Sequence, residues 1–194
     1  LCVLVVDATM GVTSQDKKIA ALMQKAHKPS LIVVNKWDLV KPKRGGKETL
    51  ARLLAETRER LFFLPYAPIL VASALTGENV ERLFSAIRKI RRAAGERIGT
   101  GPLNRLLREA FAANPPPMSA NKRMKLFYAT QTRGENRALA TPEFVLFVND
   151  PKLLGETYAR YLEAQIRGAQ AFPGLPMMLN FRPRSETAAK AESR

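Results

Sequence analysis

The chain has 194 residues, 46% of them hydrophobic and 25% charged, which suits one or two globular domains with cores of their own. Its formal net charge of +15 points to polyanionic partners such as RNA, because net charge speaks to association rather than fold. The single cysteine, Cys2, excludes an internal disulfide framework and fits a reducing compartment, and no apolar run reaches membrane-spanning length.

The positive excess lies on both sides of Gly95, +9 before Glu96 and +6 from there on. The chain opens with Leu rather than Met, which reads as an upstream part outside this sequence. The apolar run Leu1–Val6 is too short for a signal peptide and lacks a basic leader. It has no alternation, so it predicts a strand buried on both faces, as in a parallel sheet. Cys2 in such a strand is a structural thiol. A loop, Asp7-Ala8-Thr9-Met10-Gly11, follows. Ser14 to Lys28 is a helix capped by Thr13 or Ser14, with an inward stripe of Ile19, Leu22, Met23 and Ala26. His27, near its end, is assigned no role. Pro29 breaks the helix.

Leu31-Ile32-Val33-Val34 is a second buried strand, and it runs into the tetrad Asn35-Lys36-Trp37-Asp38. Open α/β sheets bind ligands just past the carboxyl ends of their strands. The residue types suit a guanine base. An ionised carboxylate at Asp38 accepts two hydrogen bonds side by side, and guanine offers two parallel donors where adenine does not. The Asn35 amide can meet the ring and brace a neighbouring loop. The apolar stem of Lys36 can lie along a base face. The competing reading of the tetrad is a strand-to-helix turn capped by Asp38.

A basic loop follows from Val40 to Lys47, carrying Lys41, Lys43, Arg44 and Lys47, and reads as solvated. Glu48 to Phe63 is a helix with Leu50, Leu53, Leu54 and Leu61 inward. Pro68–Ala72 is a third strand, again with a polar loop at its carboxyl end, Ser73-Ala74-Leu75-Thr76-Gly77. Val80 to Ala94 is a helix with Leu83, Phe84, Ile87 and Ile90 inward and Arg82, Arg88, Lys89, Arg91 and Arg92 outward. Three strand–helix repeats predict a parallel α/β layer.

Gly95 to Gly101 reads as a linker into a second, α+β domain. Pro102–Ala113 is a helix with Leu103, Leu106, Leu107, Ala110 and Phe111 inward, ended by Pro115-Pro116-Pro117. The basic run Lys122-Arg123-Met124-Lys125 leads into a strand, Leu126–Thr132. Arg133–Ala140 is a polar hairpin loop, and Pro142–Val148 the returning strand. The aromatics Phe127, Tyr128, Phe144 and Phe147 are read as core. Asp150 is expected to cap a helix, Lys152–Gln170. Pro173 and Pro176 bound a turn before the last strand, Met177–Arg182. The tail 185–194 reads as disordered.

The tetrad Asn35-Lys36-Trp37-Asp38 resembles the guanine-specificity motif of P-loop GTPases, and Ser73-Ala74-Leu75 resembles their Ser-Ala loop. Two such motifs, each at a strand end and in the right order, support one another. The resemblance implies that the Ala74 N–H meets the guanine O6 and that Ser73 steadies Asp38. The phosphate-gripping Gly-x-x-x-x-Gly-Lys-Ser/Thr turn is not in this sequence. In the family it lies upstream of the strand that opens this chain. Residues 1–95 are therefore expected to be the carboxyl half of a GTPase domain, a parallel sheet with flanking helices. On that basis the chain alone neither hydrolyses GTP nor holds magnesium.

Residues 96–184, ordered helix, strand, strand, helix, strand, resemble a KH-like domain, although the sequence has no Gly-x-x-Gly RNA-gripping loop. Tyr128-Ala129-Thr130-Gln131, Phe144-Val145-Leu146-Phe147-Val148-Asn149-Asp150-Pro151 and the Tyr158-x-x-Tyr161-Leu162-Glu163 helix resemble the bacterial double-GTPase family EngA, or Der. That resemblance implies GTP or GDP as ligand, with magnesium only in the intact protein. It also implies a further amino-terminal GTPase domain, a cytoplasmic setting, no membrane, and ribosomal RNA of the large subunit as partner. Arg88, Lys89, Arg91, Arg92, Lys122, Arg123, Lys125, Arg182 and Arg184 are the candidate RNA contacts. The alternatives are an Era-type GTPase, or an RNA-binding module with no nucleotide hydrolysis of its own.

Overall fold

A computed structural model describes residues 1–43, 45–119, 122–132 and 139–183. The chain divides into two compact units. The first is Leu1–Gly95 together with Phe172–Pro176, and the second is Glu96–Ala171 with the chain from Met177 onward. The five residues Phe172–Pro176 thus leave the domain that the sequence predicts for them.

In the first unit three strands, β1 (Cys2–Asp7), β2 (Ser30–Asn35) and β3 (Ile69–Val71), form a parallel sheet in the order β1-β2-β3. Around it lie α1 (Ser14–Lys25), the short α2 (Trp37–Val40), α3 (Gly46–Arg60) and α4 (Val80–Gly95). The central strand β2 is buried from Ser30 to Val34. Its unbroken apolar run reflects neighbours on both edges and cover on both faces.

The outer strand β1 departs from the expectation of two buried faces. Leu4 and Val6 are buried, but Val3 and Val5 are 39% and 56% exposed. The reason is one-sided cover: Ala20 and Met23 of α1 join Leu4, Val6 and Ile32 in one core cluster, and Val3 and Val5 point the other way. The same geometry corrects the helix. Ile19 and Leu22, expected inward, are exposed. Likewise Phe84 of α4 is 56% exposed while Ile90 and Ala93 are buried. Helix α1 starts at Thr13, whose hydroxyl accepts from Asp16 N while the Asp16 carboxylate accepts from Thr13 N, a reciprocal capping box.

Phe172–Pro176 is fastened to this unit by backbone bonds. Ser30 N donates to Gly174 O and Gly174 N donates to Tyr66 O, each at 2.7 Å. Gly174 has φ +72°, and a Cβ there would lie 2.5 Å from Ile90 Cδ1, so both the turn and the close approach require glycine.

The second unit opens with α5 (Thr100–Ala113) and a two-residue ribbon of β4 (Met118–Ser119) and β5 (Lys122–Arg123). A three-stranded sheet follows, β6 (Leu126–Thr132), β7 (Glu143–Val148) and β8 (Met178–Pro183), with α6 (Glu156–Ala169) between its last two strands. β7 is central, antiparallel to β6 and parallel to β8. Phe144, Leu146 and Val148 are buried with Leu103 and Leu107 of α5 and Tyr158, Leu162 and Ile166 of α6. A polar residue sits among them. The Asn104 amide donates to Ala129 O and Thr100 O and accepts from Ala129 N, each at 2.8 Å, tying α5 to β6.

Asp150 does not cap the long helix. Its carboxylate accepts from Lys152 N and caps a 3-10 turn, Pro151–Leu153, and α6 begins after Gly155. Phe127 and Tyr128, read as core, are 37% and 40% exposed. On the alternation of strands Tyr128, Phe147 and Arg182 form one row across the sheet, on the face opposite buried Phe144 and Leu146. The expected tail at 185–194, Arg184, Arg44 and most of the hairpin loop at 133–138 lie outside the described residues. Among the described residues no helix is long and apolar enough to cross a membrane.

Candidate functional site

The site grows from the ends of the three parallel strands. At the end of β2 the chain turns through Lys36, which adopts a left-handed conformation at φ 66°. A non-glycine residue in that region is strained, and such strain is held by its surroundings. Here two backbone bonds do so: Ala8 N donates to Asn35 O at 2.8 Å, and Trp37 N donates to Ala72 O at 3.1 Å. The tetrad is thereby tied to the ends of both neighbouring strands.

The side chains converge as well. Ser73 Oγ donates to Asp38 Oδ1 at 2.5 Å and accepts from Thr76 N at 3.1 Å. Ser73 is fully buried, so its hydroxyl has one arrangement that satisfies both partners. One carboxylate oxygen of Asp38 is thus held in place. Asn35 Oδ1 accepts from Ala74 N at 2.9 Å, which closes the second loop onto the first. This is the N–H that the family resemblance assigns to guanine O6. Leu75, in the same loop, is 85% exposed. Lys41 and Glu78 pair at 2.7 Å, linking the end of α2 to the end of the Ser73 loop.

Trp37 is the exception among the predicted site residues. It is 4% exposed and packs with Ala8, Val34 and Val71. Its side chain supports the tetrad from beneath.

One residue of the site was missed in the sequence. Asp7, at the end of β1, is in register with Asn35, and its Oδ2 pairs with Lys36 Nζ at 2.7 Å. Asp7 Oδ1 accepts from Thr9 N at 2.9 Å and from Thr9 Oγ1 at 2.7 Å. The bond from Lys36, followed by those from Thr9, lowers the Asp7 carboxyl from 3.8 to about 2. The signal was available: if Leu1–Val6 and Leu31–Val34 are parallel neighbours, the first polar residue after each comes side by side.

The basic candidates separate by unit. On α4, Arg88, Lys89, Arg91 and Arg92 are exposed, and Arg88 Nη2 donates to Ser85 Oγ at 2.9 Å. In the second unit Lys122, Arg123, Lys125 and Arg182 are exposed. Asn149 braces the backbone of two of these. Its Oδ1 accepts from Lys125 N at 2.7 Å and its Nδ2 donates to Arg123 O at 3.1 Å. The described residues contain no cluster of three or more His, Cys, Asp or Glu able to hold a metal ion.

Two strand-end loops joined by the Ser73–Asp38 and Asn35–Ala74 bonds, followed by a unit of helix–strand–strand–helix–strand order, follow the plan of a GTP-binding domain fragment joined to a KH-like domain. Residues 1–92 match the elongation factor Tu GTP binding domain, and residues 97–182 match the KH-domain-like of EngA bacterial GTPase enzymes, C-terminal. The chain belongs to the EngA-type GTPases. It is 42% identical to the GTPase Der of Desulforudis audaxviator over 95% of its own length, and 41% identical to the GTPase Der of Acetivibrio thermocellus over 96%. With the GTPase Der of Synechococcus sp. (strain RCC307) it is 41% identical over 99%. It spans about two fifths of the length of these relatives, 40%, 40% and 41% respectively. A crystal structure of an Aquifex aeolicus Era variant bound to GDP and tetrafluoroaluminate aligns with a TM-score of 0.39 at 18% identity, over 93% of this chain and 64% of that one.

Proposed function

We propose that this chain supplies the base-recognising half of a GTP-binding site and a basic KH-like domain that attaches the protein to RNA of the large ribosomal subunit during its assembly in the cytoplasm. The bond from Ser73 Oγ to Asp38 Oδ1 carries the nucleotide half of this reading. It fixes one carboxylate oxygen and sets the plane of the group before any base arrives. Preorganised polar groups discriminate strongly, because a mismatched ligand leaves them unpaired. In this reading Asp38 accepts from guanine N1–H and the exocyclic amine, the Lys36 stem flanks the ring, and guanine O6 competes with Asn35 Oδ1 for the Ala74 N–H. Phosphate grip, magnesium and hydrolysis are assigned to no residue of this chain, which spans about two fifths of its relatives' length.

The RNA half rests on charge. Exposed Lys122, Arg123 and Lys125 project from one short segment that Asn149 braces, and their chemistry is that of phosphate contacts, which position without reading sequence. Calorimetric titration of the full-length protein with GDP, ADP and XDP tests the nucleotide half. GDP should bind and the other two should not. Equal binding of ADP, or no discrimination against XDP, would remove Asp38 from the role given to it.

A further inference from the structure

Strand β3 is the outer strand of its sheet among the described residues, and the space beside it is shaped on both faces. Pro68 O accepts from Ile32 N and Ala72 N donates to Val34 O, so residues of that parity turn their backbone toward β2. By strand alternation the N–H and C=O of Ile69 and Val71 turn the other way, toward the free edge. The side chains of Ile69 and Val71 pack on the α3 face beside Leu50 and Leu54. Leu70 lies on the α4 face.

Two concavities meet at this edge. One, of about 420 Å³, is walled by Leu50 and Leu54 of α3, by Ile69–Val71, and by Lys47 and Arg82. The other, of about 350 Å³, is walled by Pro68, Leu70, Ala86 and Ile90, with Arg82 and Lys89 at its rim. They share Leu70 and Arg82. The carboxylate in the first wall, Glu78, is already paired with Lys41, whereas Lys47, Arg82 and Lys89 make no ion pair among the described residues.

We propose that this edge takes up an extended acidic segment of a partner protein as a fourth strand. Backbone bonds to Ile69 and Val71 supply the pairing, as in other strand-addition complexes. Side chains then fall alternately on the two faces. Those toward α3 meet Leu50 and Leu54 and must be apolar. Those toward α4 cross the apolar floor of Leu70 and Ile90 to the rim cations Arg82 and Lys89, which a side chain as long as Glu reaches with its carboxylate. The recognised sequence is therefore an alternation of apolar and acidic residues, and composition alone does not satisfy the edge. The inference is independent of the guanine site.

The probe is a fluorescein-labelled peptide of alternating Val and Glu, titrated into the full-length protein and read by anisotropy at low salt. A peptide of the same composition with its Val and Glu in two blocks is the control. The alternating peptide should bind about tenfold more tightly than the blocked one, and the exposed double reversal Arg82→Glu/Lys89→Glu should cost about tenfold. Hydrogen exchange over residues 68–72 should slow on binding, which a merely electrostatic contact elsewhere on the surface does not produce. Absence of binding at millimolar peptide would show that the cations only guard an open edge. Equal binding of the blocked peptide, or binding without slowed exchange, would overturn strand addition. So would displacement of the peptide by oligouridine that itself slows the same exchange, which would assign the edge to RNA.

Discussion

Asp7 and Lys36 meet at 2.7 Å across the ends of two parallel strands, and the pair holds a side chain whose backbone is left-handed. The carboxylate anchors the ammonium and so directs the apolar stem between them. Removing Asp7 leaves Lys36 free to swing. Asp7→Asn in the full-length protein should weaken guanine-nucleotide binding several-fold while leaving the preference for guanine over xanthine intact, because Asp38 is untouched. Titration calorimetry with GDP and XDP checks both halves. An unchanged GDP affinity would make the pair ornamental.

The same pair sets a pH window. The Asp7 carboxyl is depressed from 3.8 to about 2, chiefly by the bond from Lys36. A depressed carboxyl contributes its stabilisation above the unfolded value and loses it as pH falls through the folded one. The contribution of Asp7 is therefore complete above about pH 4 and disappears between there and about pH 2. An NMR titration of its side-chain carbon should show a midpoint near 2. Lys36→Met should raise that midpoint only part of the way to 3.8, because Thr9 still donates twice.

Asp38→Asn exchanges an acceptor for a donor at the position facing the guanine exocyclic amine. The amine then faces a donor, while the O2 of xanthine is satisfied. Binding of guanosine nucleotides should be lost and binding of xanthosine nucleotides gained, with a change in preference of about a hundredfold or more. A competition assay with labelled GDP reads the outcome, and a retained guanine preference would refute the assignment.

Asn104 makes three hydrogen bonds inside the second unit and is 8% exposed. Asn104→Ala strands the Ala129 N–H and C=O in a buried setting. A loss of about 2–4 kcal/mol is expected, since each unsatisfied buried group costs its desolvation. Urea unfolding of the variant measures it. A loss below about 0.5 kcal/mol, the usual spread at surface sites, would show that water replaces the amide at no cost.

Gly174→Ala meets two obstacles at once, the positive φ and Ile90 at 2.5 Å. Left-handed backbone and overpacking together should cost about 2–4 kcal/mol in thermal or urea unfolding. Ile90→Ala removes both Cδ1 and Cγ1 from the contact, so Gly174→Ala should cost less in an Ile90→Ala background than in the parent, leaving the backbone portion. No recovery would mean that φ alone matters.

Replacing Lys122, Arg123 and Lys125 together should flatten the slope of log affinity against log salt by about two units on single-stranded RNA, each neutralised phosphate contributing about 0.7. The loss should be similar on unrelated RNAs. Filter binding across a salt series decides it. A salt-independent affinity, or a strong preference for one sequence, would refute the phosphate account.

Much of this was legible along the chain. Leu31–Val34 reads as a buried strand because every residue is apolar, and the polar tetrad after it stands where α/β sheets bind ligands. Asn35, Lys36, Asp38 and Ser73 stand out in the sequence as polar residues at strand ends, and the proposed base recognition rests on them. What the linear pattern lacked was the partner of each group. Asp7 acquires its role only when β1 and β2 lie in register and bring it beside Lys36, 29 positions along the chain. Trp37 looks like part of the motif until packing turns it into the core. Val3, Val5, Ile19 and Leu22 are apolar enough to predict burial, yet burial is decided by which face another element covers. Asn104 is silent in sequence, because a polar residue declares itself structural only when the backbone atoms it satisfies have been brought to it. Phe172–Pro176 joins the first unit because Ser30 and Tyr66 supply its hydrogen bonds and Ile90 leaves room for no side chain at Gly174. Local chemistry therefore chose most of the elements, and long-range contacts, which no periodicity records, chose the partners.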